Sequence, residues 1–177
     1  MKKTALILAL ALTLTACGNS LKWEGDIEVP EEIRAEYEQS IADHKAQIEE
    51  DPENFDAHFQ IAYYHQLMGE YRPAVEYYKK ALELAPADFA SLNNIADTYE
   101  SVGDYDMAAE YITQLYEIHS NMLEVVRDTV RIHAKAERFE EAENIVNKFK
   151  ELKSGDSEFQ KIIKDMQDML NNYRENS

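Results

Sequence analysis

Between Gly69 and Pro86 the stretch GEYRPAVEYYKKALELAP places apolar residues at helical spacing, with Tyr71, Ala74, Tyr78, Ala81 and Leu82 on one side. Glycine opens the segment and proline closes it, which is the punctuation of a turn, a helix and a stop. Pro73 falls in the first turn, where a missing N–H is harmless. The stretch GDYDMAAEYITQLYEIHS repeats this opening 34 residues on, from Gly103.

A single gap-free offset of 34 aligns far more than the two glycines. It relates Tyr71, Tyr105 and Phe139, as well as Ala74, Ala108 and Ala142. It also relates Pro52 to Pro86, Tyr37 to Tyr71, Ile48 to Leu82, and Ile61-Ala62 to Ile95-Ala96. The match loosens at Thr129-Val130, and Glu137 stands where the third turn glycine belongs. The last apolar stripe is Phe159, Ile162, Ile163, Met166, Leu170 and Tyr173, opposite Lys161, Lys164, Asp165 and Asp168. That pattern predicts an amphipathic closing helix capped by Asp156 or Ser157.

A period of 34 residues built from two helices resembles the tetratricopeptide repeat. The resemblance covers residues 35–152 and is closest in the first full unit. It implies an all-α, right-handed α-solenoid of about three helix pairs, with a half-repeat before them and a capping helix after. The expected boundaries are a half-repeat over 32–54, units over 55–88, 89–122 and 123–156, and a cap over 157–177. Ala62, Ala74, Ala81, Ala96 and Ala108 suit close helix crossings, while Tyr71, Tyr78, Tyr99 and Tyr105 suit wider gaps.

Composition supports helices, since the 177 residues include only 5 glycines and 4 prolines. The formal charge of −17 excludes nucleic acid as the natural partner and argues against direct binding to an anionic membrane surface.

The N-terminus adds a different signal. Lys2 and Lys3 precede the apolar run Ala5 to Leu14, which is the layout of an export leader and too short for a permanent span. Leu14-Thr15-Ala16-Cys17 resembles the bacterial lipobox. That resemblance implies a signal peptide over 1–16 and diacylglycerol on the sulfur of Cys17, the chain's single cysteine. It further implies attachment to a cell membrane or outer membrane, facing away from the cytoplasm. Residues 17–31 show no pattern and are expected to form a flexible tether spanning on the order of 20 Å.

Candidate chemistry is sparse, with no catalytic, phosphate-binding or cofactor motif in the chain. His58 and His65 are seven apart on one helix, at positions where the repeat places packing aromatics. The family resemblance points to the first helix of each unit as the wall of a groove for a protein or peptide. The corresponding residues include Phe59, Tyr63 and Gln66, then Asn93, Asn94 and Asp97, then Arg127, Arg131 and Lys135. Asn94 fits the family's clamp for a C-terminal carboxylate, but Phe59, Tyr63, Glu124 and Asp128 do not, so that clamp is not expected. Arg127, Arg131 and Lys135 recur every four residues and share one face, facing either a ligand or internal acids such as Asp97 and Glu100. The expected role is non-enzymatic: a membrane-anchored interaction module serving a cell-envelope complex. A self-assembling lipoprotein, or an extracytoplasmic metal-binding protein or enzyme, stays open as an alternative.

Overall fold

Four of the helices start on side-chain caps that the sequence supplies. Asn54, Asp88 and Asp104 each accept a hydrogen bond from the backbone N–H three residues on, at 3.0, 2.7 and 3.2 Å. Asp156, rather than Ser157, caps the last helix by accepting from the N–H of Glu158 at 3.0 Å. Such caps satisfy amide donors that the first helical turn cannot.

The protein is described here from a computed structural model covering residues 21–177. The expected export leader, the lipobox-like stretch and Cys17 lie outside the described residues. The described chain is all-helical apart from one isolated backbone bridge. Its helices are α1 (Glu31–Glu50), α2 (Phe55–Leu67), α3 (Tyr71–Leu84), α4 (Phe89–Val102), α5 (Tyr105–His119), α6 (Leu123–Lys135), α7 (Phe139–Leu152) and α8 (Ser157–Asn176).

Each helix packs on the next, so the helices form a solenoid. Second-neighbour contacts join α2 to α4 and α6 to α8, which places the even-numbered helices on the inside of the curve. The crossing alanines Ala62, Ala74, Ala81, Ala96 and Ala108 are completely buried. One core joins α2 through α6, a second joins α6, α7 and α8, and Tyr116 packs against both. Ile41, Ile61 and Met68 form a smaller cluster beneath α1. Among the described residues no helix is long and apolar enough to cross a membrane.

The turn within each unit is left-handed, with φ of 74° at Gly69, 85° at Gly103 and 57° at Glu137. The third unit thus keeps the turn and accepts the strain of a side chain there. The two glycines differ in surroundings. A Cβ on Gly103 would meet nothing within 4 Å, whereas one on Gly69 would lie 3.2 Å from Cα of Gly25. Gly103→Ala is therefore expected to cost about 1 kcal/mol from backbone strain alone. Gly69→Ala should cost more, and urea unfolding of the two variants measures the difference. Equal losses would show that the contact at Gly25 carries no energy.

That contact belongs to a feature absent from the expected tether. Leu21 to Gly25 lie along the turns of the repeats instead of hanging free. The N–H of Lys22 donates to the carbonyl of Val102 at 3.1 Å, and the N–H of Gly25 donates to that of Gly69 at 2.8 Å. The N–H of Tyr71 donates to the carbonyl of Trp23 at 3.2 Å, beside an antiparallel bridge between Glu24 and Glu70. Trp23 sets its ring edge-on to Tyr99, with centroids 6.1 Å apart, and the Arg72 guanidinium sits 5.4 Å from its centroid. An indole with an apolar face and a cation above it is a stable seat.

Candidate functional site

The inner face begins on α2 with three aromatics one turn apart. Phe55 and Phe59 stack at 6.1 Å, Phe59 and Tyr63 at 6.4 Å, and Tyr63 remains 39% exposed. The row holds its place because Phe59 rests edge-on against the buried Tyr78, centroids 5.8 Å apart. Phe55 belongs to this row although the repeat pattern did not single it out.

Gln66 and Asn94 face inward to that same tyrosine. The Tyr78 hydroxyl donates to Oε1 of Gln66 at 2.6 Å and accepts from Nδ2 of Asn94 at 3.0 Å. Asn94, the one residue compatible with a carboxylate clamp, is thus engaged in joining the first unit to the second.

On α4, Asn93 donates to Oδ2 of Asp97 at 3.2 Å. Burial, together with the neighbouring Glu100 and Asp128 carboxylates, pushes the Asp97 pKa up to about 6, against the opposing pull of Arg131 and Asn93. The basic line of α6 divides. Arg131 and Lys135 both donate to Oε1 of Glu100, the lysine at 2.7 Å, and Arg131 also reaches Asp128 at 3.1 Å. Lys135 lies 5.5 Å from the centroid of Tyr105 as well. Arg127, one turn earlier, is exposed and forms no ion pair with a described residue. It borders a cleft of about 280 Å³ between α6 and α8, whose apolar wall is Ile162, Met166 and Met169. The structure therefore brings Arg131, Lys135 and Asp97 together around Glu100, and leaves the Phe59–Tyr63 stack on α2 apart from the exposed Arg127 on α6.

A sequence profile of the tetratricopeptide repeat matches residues 55–88, and a second such profile matches residues 77–110. The chain carries tetratricopeptide repeats. Solved structures repeat the architecture. A tetratricopeptide repeat protein from Parabacteroides merdae superposes with a TM-score of 0.64 at 16% identity, over 81% of this chain and 56% of that one. A MamA structure gives 0.58 at 12% identity, over 83% of this chain and 92% of that one. PilF of Pseudomonas aeruginosa gives 0.56 at 23% identity, over 81% of this chain and 64% of that one. The chain thus spans little more than half the length of the Parabacteroides protein, and these likenesses establish the fold. No curated protein matches the sequence.

Within the tetratricopeptide frame the histidines fall at packing positions. His58 is 8% exposed, with Nε2 at 3.0 Å from the carbonyl of Pro52. His65 has Nδ1 at 2.7 Å from Oε2 of Glu70. His133 is buried against Thr113, whose hydroxyl donates to the Ala109 carbonyl at 2.6 Å and so accepts from Nε2 at 2.8 Å. Burial draws the His133 pKa down, with Arg138 adding to the effect. Tetratricopeptide units act in general as protein–protein interaction modules. The inner wall of this one extends onto α8, which the sequence marks only as a cap. The signal that could have revealed the extension is the pair of methionines, Met166 and Met169, three apart on one side of that helix.

Proposed function

We propose that the protein is a lipid-anchored, extracytoplasmic interaction module that receives a protein partner along its inner face, in the service of a cell-envelope complex. The observation that carries this reading is the pair of exposed residues on that face, one aromatic and one cationic. Tyr63 is exposed at one end, and at the other Arg127 is exposed and pairs with no acid among the described residues. Between them Gln66, Asn94, Glu100, Arg131 and Lys135 are engaged in joining helices. A partner segment with an apolar side chain for Phe59 and Tyr63, and an acid for Arg127, suits these groups. The anchor rests on the lipobox at Cys17.

Crosslinking in intact cells followed by capture tests the groove. Tyr63→Ala with Arg127→Glu should lower recovery of the bound partner about tenfold, the equivalent of about 1.4 kcal/mol. Arg131→Glu should act differently, destabilising the fold through Glu100 and Asp128. Unchanged recovery from the Tyr63/Arg127 variant, with the fold intact by circular dichroism, would reject the inner face as the site. For the anchor, Cys17→Ser should release the protein from membranes.

A further inference from the structure

The docked segment at the N-terminus fixes where an anchor can act. Leu21 lies beside the turns of the second and third units, lining a hollow with Gly103, Asp106 and Glu137. Lys22 binds the second unit, Trp23 and Gly25 bind the first, and the chain then enters α1. The segment therefore runs backward along the turn edge, from the middle of the array to its start. Its seat is specific. A Cβ on Gly25 would fall 2.8 Å from the Tyr71 hydroxyl, and Trp23 is held between Tyr99 and Arg72.

We infer that residues 21–25 are a strap that stands the solenoid on the lipid bilayer by its turn edge, beneath the second and third units. This rests on lipidation at Cys17, the reading proposed above. Four residue steps separate Cys17 from Leu21, and a fully extended chain covers at most about 14 Å in that distance. The lipid attachment point is therefore within about 14 Å of Leu21, which itself lies at mid-array and not at the N-terminal end. The helices run between the turn edge and the inter-unit loops, so they stand upright on the membrane. A helix of 14 residues, such as α4, lifts the opposite edge about 21 Å farther away.

The inner face is then turned sideways, and a bound segment lies alongside the membrane.

The two ends of α5 supply the test. Asp106→Cys marks the turn edge and Ser120→Cys the opposite edge, and both sites are exposed. Each full-length, lipidated variant is labelled with a fluorophore and placed in phosphatidylethanolamine–phosphatidylglycerol vesicles carrying rhodamine headgroups. Energy transfer at position 106 should exceed that at 120 by at least about twofold. Adding Trp23→Ala and Gly25→Val, which unseat the strap and change no residue of the helices, should bring the two values together. Equal transfer in the strapped protein, or a bias that survives the double replacement, overturns the strap while leaving the anchor intact. A chain that fails to float with the vesicles overturns the anchor and the orientation with it. Retained helicity by circular dichroism separates each result from misfolding.

Discussion

Tyr78→Ala is expected to destabilise the fold by about 3–5 kcal/mol, the usual range for removing a large buried aromatic. Tyr78 has no exposed surface, and its ring supports Phe59 from behind. The loss has a second part. Gln66 and Asn94 share the Tyr78 hydroxyl across the junction between units, and both would be left without it. Tyr78→Phe separates the two parts, because it keeps the ring and removes only the hydroxyl, at a cost of about 1–2 kcal/mol. Urea unfolding of the three proteins gives the comparison. A Tyr78→Ala loss below about 2 kcal/mol would mean that α2, α3 and α4 repack around the cavity.

Asp97→Asn is expected to stabilise the protein at neutral pH and to flatten its response between about pH 4 and 6. The Asp97 pKa stands at about 6 in the fold against an ordinary value of 3.8, so the folded state holds the proton more tightly than the unfolded chain. The contribution to stability is complete below the ordinary value and is lost as pH rises through about 6. A shift of this size corresponds to about 3 kcal/mol for a fully desolvated group, and partial exposure to solvent reduces that to about 1–2 kcal/mol. Asparagine keeps the acceptor for Asn93 and removes the charge that faces Glu100 and Asp128. His133 titrates with the opposite sign, since burial lowers its pKa and its contribution is lost on acidification. The difference between wild type and Asp97→Asn across the pH series cancels that effect. If the two curves run parallel, Asp97 ionises in the fold as it does in the open chain.

The repeat was legible because its determinants are local. Turn glycines at Gly69 and Gly103, alanines at the crossings and a capping residue before half of the helices each act within a few positions along the chain. The site was less legible because its pairings join helices that no local pattern connects. The sequence offers Asp97 and Glu100 as acids that could meet the basic line of α6, with a ligand as the other choice. Side chains reaching from α6 to α4 decide it, since Glu100 gathers both cations while Asp97 sits among acids. Arg127 looks identical to Arg131 in sequence, yet one turn of helix carries it past Glu100 to the edge of α8. The docked segment was the least visible feature. Leu21 to Gly25 has no periodicity, and its bonds are made by backbone groups that every residue carries. Trp23 alone hinted at a packing role.

The order in which the chain is made gives the docked segment one further property. Lys22 is bonded to Val102, and Trp23 to Tyr71. Those partners emerge from the ribosome long after the segment does, and the edge they share exists only once the first two units have stacked. Residues 21–25 are synthesised before every helix they bind, yet they must wait unplaced until most of the array is built. Their docking closes the longest loop in the protein's early folding, which makes it a late and slow event by comparison with the joining of neighbouring helices. A chain arrested before α4 is complete would carry its helices but not its fixed attachment.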